Sequence, residues 1–319
     1  MKLGVVMDPI QAIKPWKDTS FALMLAAQVR GWTLYYIEPD WLYAEDGRAK
    51  ATMHTVTVQD SREDWFTLGP KITRDLAELD IVLQRQDPPV TLNYHYVTAL
   101  LALAERQGVL VANRPNALRA ANEKLLAQHY PAFCPPTLVT RDPAQLQDFL
   151  RTHDRIVVKP LDAMGGSSIF QVAHDDMNAD VIFETMTAEG LTMAQRFLPA
   201  IREGDRRILL INGQPVDHAL LRTPPADRFR ANLAAGGLGT VVPLRPRDRE
   251  IAAAVGPDLA RDGLWFVGLD VIGDYLTEIN VTSPTCAREI DAVCRNDPAG
   301  QLLDFLADRR QSHSHIDTI

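Results

Sequence analysis

Short apolar runs separated by amphipathic segments fill the first part of the chain. Residues 2–7 form an apolar run closed by Asp8-Pro9, a pattern typical of a buried strand in a parallel sheet. Apolar residues at helical spacing follow Asp18, a residue type that caps helix N-termini. Further strands are predicted at 34–37, 79–83 and 109–112, and a further helix at 94–107. This alternation predicts a doubly wound α/β unit built on a parallel sheet.

The pattern changes near residue 120, where a helical stretch over 116–128 leads into short strands with few helices. These strands are predicted at 137–140, 156–159, 169–172, 193–197, 208–211, 216–221 and 266–272. Asn212-Gly213 and Gly273-Asp274 favour two-residue turns of antiparallel hairpins. The second half is therefore predicted as α+β and mainly antiparallel. Segment 223–239 lacks apolar periodicity, and a loop of that length is typical of a lid.

Composition narrows the class of partner. The chain has 319 residues, 46% of them apolar, and its 33 basic and 41 acidic residues give a net charge of −8. An acidic chain lacks the surplus cations that a nucleic acid or an anionic membrane requires, so neither is expected as a main partner. The three cysteines form no Cys-x-x-Cys pair, and no apolar run reaches the roughly 18 residues of a membrane span. These features favour a cytosolic protein that acts on small solutes.

Two segments of the second half carry candidate chemistry. Lys159 ends an apolar strand just before a loop with Gly165 and Gly166, where backbone N–H groups and a lysine suit a polyphosphate. Taken alone, this segment is more often a surface hairpin with a solvated lysine. Glu278 and Asn280 leave the same face of a predicted strand, and such oxygen ligands suit Mg²⁺.

Asp270 is a third candidate metal ligand, whose direction depends on the hairpin. If Gly273-Asp274 is a strict two-residue turn, Asp270 pairs with Thr277 and faces away from Glu278. A bulge or a three-residue loop would bring both carboxylates to one face. Both geometries stay open at this level.

Several short motifs occur in a fixed order along the chain. They are Asp18-Thr19-Ser20-Phe21, Arg85-Gln86-Asp87-Pro88-Pro89, Asn122-Glu123-Lys124-Leu125, Lys159-Pro160-Leu161-Asp162, Asn232-Leu233-Ala234-Ala235-Gly236-Gly237 and Thr277-Glu278-Ile279-Asn280-Val281-Thr282-Ser283-Pro284-Thr285-Cys286. With this set the chain resembles the prokaryotic glutathione synthetases, a family of the ATP-grasp superfamily. The resemblance runs from the first strand to about residue 289.

The resemblance implies an ATP-grasp fold in three units. These are an N-terminal parallel, Rossmann-like domain at 1–120, a small α+β subdomain with a phosphate flap at 121–200, and a C-terminal subdomain at 201–319 with the lid and the metal hairpin. It also implies ligation of γ-glutamylcysteine, a dipeptide thiol, to glycine through an acyl phosphate, with ATP as co-substrate and Mg²⁺ or Mn²⁺ as cofactor. A cytoplasmic homo-oligomer, either a dimer or a tetramer, is expected by the same likeness.

The resemblance further implies roles for individual residues. Those expected to bind ATP are Lys124, Lys159, Gly165, Gly166, Gln195, Phe197, Leu198 and Asp205. Those expected to act on the transferred phosphoryl and acyl groups are Arg207, Arg230 and Lys159. Those expected to bind the other substrates are Arg85, Asn232, Ser283, Thr285 and Arg288. The expected metal ligands are Asp270, Glu278 and Asn280.

Some positions depart from the family pattern, namely Gln86, Ala163, Arg196 and the lid segment 225–227. The changes at Gln86 and in the lid lie where the dipeptide and glycine would be held. They leave open a sister ATP-grasp ligase that joins a different carboxylate and amine. A nucleotide-binding scaffold without catalysis is a further alternative, which the presence of Glu278 and Asn280 disfavours.

Overall fold

Three β-sheets with helices packed against them make up the described part of the protein. The structure is a computed structural model that describes residues 1–162, 168–225 and 236–316. Among these residues there is no helix with the length and apolar character needed to cross a membrane.

The first sheet has seven strands and belongs to the α/β part of the chain. Its elements are β1 (Lys2–Val6), α1 (Thr19–Val29), β2 (Thr33–Ile37), β3 (Leu42–Glu45), β4 (Arg48–Val58), β5 (Phe66–Asp75), β6 (Ile81–Gln84), α2 (Leu92–Arg106) and β7 (Leu110–Ala112). The order is β3-β4-β2-β1-β6-β7, with β5 paired to β4. Strands β2, β1, β6 and β7 run parallel, so the predicted parallel sheet is confirmed for these strands.

Three antiparallel strands that the hydrophobic pattern does not predict extend one edge of this sheet. Strand β4 pairs antiparallel with β2, β3 and β5. Its buried side chains include the small Ala49 and Ala51, which give a weak apolar signal. Strand β5 contains Gly69 and Pro70, residue types that are rare inside strands. The sheet is therefore mixed rather than wholly parallel.

The second sheet is antiparallel, with the order β10-β9-β11-β8. The elements of this part are α3 (Pro115–Ala120), α4 (Glu123–Ala127), β8 (Thr137–Thr140), α5 (Pro143–His153), β9 (Arg155–Pro160), β10 (Phe170–Ala173), α6 (Ala179–Glu189) and β11 (Thr192–Arg196). Helices α5 and α6 bury Leu146, Leu150 and Phe183 in the same apolar cluster as Ile156 and Val158 of β9. The predicted strands of this part are confirmed.

The continuous helix predicted over 116–128 is wrong, because α3 ends at Ala120 and a new helix begins at Glu123. The Asn122 side chain accepts hydrogen bonds from the backbone N–H groups of Lys124 and Leu125, both at 3.1 Å. Asparagine at this position caps a new helix rather than continuing the old one. The break places Lys124 in the first turn of α4.

The third sheet is antiparallel, with the order β14-β13-β12-β15-β16. The elements are β12 (Asp205–Ile211), β13 (Gln214–Thr223), β14 (Leu238–Pro243), α7 (Pro246–Asp262), β15 (Phe266–Ile272), β16 (Tyr275–Asn280), α8 (Ala287–Cys294) and α9 (Pro298–Ile316). Both predicted hairpins are present. The predicted lid at 223–239 begins and ends in strand residues, and its central part at 226–235 lies outside the described residues.

The first and third sheets share one apolar core. It joins Leu3 and Phe21 from the N-terminal part to Leu209 and Trp265 from the C-terminal part. The buried Asn113 side chain, directly after β7, adds polar contacts at the same junction. Its Nδ2 donates to the carbonyl oxygens of Phe266 and Val281, both at 2.8 Å, and its Oδ1 accepts from the Phe266 N–H at 2.8 Å.

We predict that Asn113→Ala lowers the free energy of unfolding by about 3 kcal/mol, because each buried group left without its partner costs roughly 1–3 kcal/mol. Urea denaturation followed by circular dichroism and tryptophan fluorescence measures the change. Asn116→Ala is the matched control, since Asn116 is exposed on α3. Equal midpoints for the two variants would contradict the role given to Asn113.

Candidate active site

A cavity of about 580 Å³ is lined by residues of all three sheet regions. Asp8 follows β1 at the carboxyl end of the parallel strands, where α/β sheets bind ligands. Lys159 of β9 and Asp270 of β15 line other parts of the wall. The predicted site residues that line the cavity are Lys124, Lys159, Gln195, Phe197, Leu198, Asp205, Arg207, Asp270, Glu278, Asn280, Ser283 and Thr285.

Two buried lysines give part of the cavity a positive character. Lys124 Nζ lies 3.2 Å from Glu278 Oε1 and 3.5 Å from the Leu161 carbonyl oxygen. Lys159 is only 7% exposed. Burial lowers the pKa of Lys159, and the Glu278 carboxylate opposes that shift. Two ammonium groups beside one carboxylate favour an anionic ligand.

The hairpin of β15 and β16 contains a bulge that settles the direction of Asp270. Asp270 lies opposite Glu278 and Gly268 lies opposite Asn280, whereas Val271 pairs with Leu276. The extra residue in β16 is therefore Thr277, whose hydroxyl donates to the Asp270 carbonyl oxygen at 3.1 Å. Because of this bulge, the two carboxylates form a direct cross-strand pair on one face.

The donor chemistry of the hairpin fits a hard cation that phosphate oxygens help to bind. Asn280 Nδ2 donates to the Gly268 carbonyl oxygen at 3.1 Å, which fixes the amide and leaves Oδ1 as an acceptor. No group of three or more His, Cys, Asp or Glu side chains suited to a metal ion occurs in 1–162, 168–225 or 236–316. An ion at this hairpin would therefore complete its shell with amide, phosphate or water oxygens.

A buried group of charges lies beside the hairpin. Arg207 donates to Asp270 through Nε at 2.6 Å and through Nη2 at 3.0 Å. Arg222 Nη2 lies 2.9 Å from Asp270 Oδ1 and also donates to Asp205. Burial alone would raise the pKa of Asp270, but the two guanidinium groups hold it well below its usual range. For Asp205, burial outweighs Arg222 and raises the pKa to about 6.

Arg222 is a site residue that the sequence does not reveal. A regular hairpin with a turn at Asn212-Gly213 would place Asp205 opposite Leu220. An irregularity between Ile208 and Leu210 shifts the pairing by two residues, so that Asp205 lies opposite Arg222. The turn signal at Asn212-Gly213 predicts the hairpin but not the shift, because the size of a strand irregularity is set by packing.

One end of the cavity has an apolar wall formed by residues that directly follow β11. Phe197 and Leu198 line this wall, and the Phe197 N–H donates to the Arg155 carbonyl oxygen at 2.9 Å. Arg196 Nη2 donates to the Tyr275 hydroxyl at 3.0 Å, which links β11 to β16. An apolar wall next to ordered backbone suits a planar heterocycle.

Two predicted substrate residues contact neighbouring segments of the chain and do not line this cavity. Arg85 donates to Ser20 Oγ at 3.0 Å and to the Pro284 carbonyl oxygen at 2.9 Å. Arg288 donates to the Pro15 carbonyl oxygen and to Asp60, both at 2.7 Å. The predicted site residues that lie outside the described residues are Gly165, Gly166, Arg230 and Asn232. Lys17 and Glu289 line the cavity although neither was predicted.

The three-sheet arrangement around this cavity is an ATP-grasp fold. D-cycloserine synthetase DcsG shares the fold at a TM-score of 0.67 and 17% identity, covering 97% of this chain and 100% of that one. The ATP-grasp ligase PsnB, complexed with minimal precursor, shares it at a TM-score of 0.63 and 19% identity, covering 96% and 98% of the two chains.

The sequence comparisons define the family within that class. Residues 1–119 match the prokaryotic glutathione synthetase N-terminal domain, and residues 123–295 match the prokaryotic glutathione synthetase ATP-grasp domain. The chain therefore belongs to the prokaryotic glutathione synthetases and is an ATP-dependent ligase.

Two relatives illustrate how far the match extends. The chain is 53% identical over 308 residues to the glutathione synthetase of Pseudomonas putida. The aligned residues cover 96% of this chain and 97% of that protein. It is 48% identical over 319 residues to the glutathione synthetase of Coxiella burnetii, and the aligned residues cover 99% of each protein.

We predict that Arg222→Met lowers the free energy of unfolding by about 3–5 kcal/mol, because it leaves Asp205 and Asp270 with one guanidinium between them. Combining it with Asp205→Asn should recover part of the loss. Urea denaturation measures both variants. The control is Arg249→Met, which removes an exposed pair with Asp217 and should cost under about 1 kcal/mol. A loss for Arg222→Met no larger than the control would contradict the assignment.

Proposed function

We propose that the protein joins the cysteine carboxylate of γ-glutamylcysteine to the amine of glycine, with ATP as the energy source and an acyl phosphate as intermediate. Membership of the prokaryotic glutathione synthetases supports glutathione synthesis as the reaction. The observation that supports the chemistry is the pairing of buried Lys124 with Glu278 at the wall of a large cavity. This arrangement offers cations and oxygen ligands to a polyphosphate together.

In the proposed site, Phe197 and Leu198 face the adenine, and Gln195 supports them by donating to Thr137 Oγ1 at 3.1 Å. Asp205 lies near the ribose. Lys124 and Lys159 neutralise the phosphates, and Gly165 and Gly166 are proposed to bind the same phosphates. Glu278 and Asn280 would hold a Mg²⁺ or Mn²⁺ ion, with Asp270 beside them. A bound ion would supply charge neutralisation for the transferred phosphoryl group.

A carboxylate is a poor electrophile, so phosphorylation must precede attack by an amine. Arg207 is placed to stabilise the acyl phosphate and the tetrahedral oxyanion, because its guanidinium is fixed by Asp270 and its Nη1 lies 3.4 Å from Thr285 Oγ1. Removing one such donor typically costs about 2.7–4 kcal/mol of transition-state stabilisation. Arg230 is proposed to act on the same phosphoryl group.

The acyl phosphate would be lost to hydrolysis in an open site, so exclusion of water is part of the proposal. Segment 223–239 is proposed as the lid, and the units 1–120, 121–200 and 201–319 as the bodies that close on the substrates. Ser283 and Thr285 are proposed to contact the dipeptide or glycine, and Asn232 is proposed as a further substrate contact. Arg85 and Arg288 would act through the segments that they contact. Cytoplasmic location and a dimeric or tetrameric state are further proposals, which rest on the family resemblance.

We predict that the purified protein releases phosphate from ATP only when Mg²⁺, γ-glutamylcysteine and glycine are all present. A coupled phosphate assay, with the product identified by mass spectrometry, measures this. Reactions that lack one substrate serve as controls. A panel of other amines tests the sister-ligase alternative, which a preference of about tenfold in kcat/KM over glycine would favour. Absence of turnover above the controls would refute the proposed function.

We predict that Glu278→Gln weakens the apparent affinity for the divalent ion by about tenfold or more, because it removes a charged oxygen ligand. Electron paramagnetic resonance of Mn²⁺ with ADP measures binding independently of turnover. Glu184→Gln, on the exposed face of α6, is the matched control and should leave binding unchanged. An unchanged Mn²⁺ affinity in Glu278→Gln would contradict the metal role.

A further inference from the structure

Arg196 is the last residue of β11 and directly precedes the apolar wall of Phe197 and Leu198. Its Nη2 donates to the Tyr275 hydroxyl at 3.0 Å, and its guanidinium carbon lies 5.4 Å from the centre of the Tyr275 ring. Among the residues that the structure describes, no other side chain of β8, β9, β10 or β11 makes a hydrogen bond to a strand of the third sheet. The contact between Arg196 and Tyr275 therefore joins the second sheet to the third.

The apolar wall borders two cavities. Phe197 and Leu198 line the main cavity, and together with Tyr275 they also line a second cavity of about 410 Å³. Side chains that border two cavities lack the close packing that fixes residues in a protein core. The position of the wall therefore depends on the contacts of its backbone and of its neighbours in the chain.

The wall is attached to both sheets. The Phe197 N–H donates to the Arg155 carbonyl oxygen at 2.9 Å, and the Arg155 guanidinium carbon lies 5.6 Å from the centre of the Phe197 ring. These two contacts hold the wall to the second sheet. After Leu198 the chain continues through residues 199–204 into β12 of the third sheet. Arg196 supplies a further connection to the third sheet at the opposite end of the wall.

The turn before Tyr275 is held by the start of α7. Arg245 Nη2 donates to the Gly273 carbonyl oxygen at 2.6 Å. Arg247 Nε donates to the Asp274 carbonyl oxygen at 3.1 Å. Tyr275 then begins β16, the strand that carries the proposed metal ligands. The contact with Arg196 therefore connects the wall to a well-supported end of the hairpin of β15 and β16.

We propose that Arg196 is a positioning residue for the nucleotide, which through Tyr275 sets the place of the apolar wall relative to the hairpin of β15 and β16. This inference rests on the proposed function, which places adenine at the wall and the phosphates near the hairpin. A nucleotide contacts both places at once, so its affinity depends on their separation. A wall that is already held in place needs no ordering when the nucleotide binds, and this favours affinity.

The test compares two ligands that share the phosphate end of the site. ADP with Mg²⁺ would contact the wall and the hairpin, whereas pyrophosphate with Mg²⁺ would contact only the phosphate end. Isothermal titration calorimetry of the full chain measures both affinities. We expect Arg196→Met to weaken ADP binding by about five- to tenfold, the size typical of one lost hydrogen bond, and to leave pyrophosphate binding unchanged. Arg151→Met, which removes an exposed pair with Asp148 on α5, is the matched control and should change neither affinity.

Tyr275→Phe tests the partner of Arg196, and it keeps the proposal testable if Arg196→Met does not fold. The variant removes only the hydroxyl and leaves the ring beside the guanidinium, so we expect ADP binding to weaken by about threefold. Tyr43→Phe, on β3 and outside both cavities, is its control. The double variant should bind ADP no more weakly than Arg196→Met alone, because both changes remove the same contact.

An unchanged ADP affinity in Arg196→Met would overturn the inference. Weaker ADP binding in Arg196→Met with wild-type binding in Tyr275→Phe would also overturn it, because that result indicates direct contact of the guanidinium with the nucleotide. Equal losses of ADP and pyrophosphate affinity would do the same, since they indicate a general structural defect. The proposed placement of the nucleotide fails separately, if the wild-type protein binds ADP no more tightly than pyrophosphate.

Discussion

Charge buried within the third sheet is the constraint on which the site depends. Arg207, Arg222, Asp205 and Asp270 all come from its strands and are nearly excluded from solvent. Each charge alone would carry a desolvation penalty of several kcal/mol, so none can be buried without a partner. Two guanidinium groups and two carboxylates balance one another, and the contact of Arg207 with Asp270 has two hydrogen bonds. Loss of Arg222 would leave Asp205 without its ion pair, and loss of Asp270 would leave Arg207 without its carboxylate, so the network gives the hairpin of β15 and β16 a fixed base.

The need to pair buried charges also connects the hairpin of β15 and β16 to α4, the helix that carries Lys124. Lys124 faces Glu278 at 3.2 Å, and its neighbour Glu123 accepts from the N–H groups of Val281 and Thr282 at 2.8 and 3.0 Å. One turn of α4 therefore holds both a proposed phosphate cation and the end of β16. A shift of the helix would disturb the lysine and the proposed metal ligands together.

Periodicity predicted most of the strands and the shared face of Glu278 and Asn280, because alternation along a strand is a property of the backbone itself. It did not settle the direction of Asp270 or reveal Arg222, since each depends on a bulge that packing sets and hydropathy does not record. The helix break at Asn122 had a local signal in its capping side chain. The apolar period continues through the break, so it predicted one helix where the capping side chain indicates two.

In the proposed site, charge balance also couples the affinity for ATP to the affinity for the metal ion. Lys124 and Lys159 face one carboxylate, Glu278, which offsets only part of their positive charge. A polyphosphate brings several negative charges next to Glu278. The Arg207 guanidinium lowers the pKa of Asp270 and so favours its negatively charged form. Repulsion between these groups and the phosphates falls only when a divalent cation enters with them. In the proposed site, ATP and the metal ion therefore raise each other's affinity, since each supplies the charge that the other lacks.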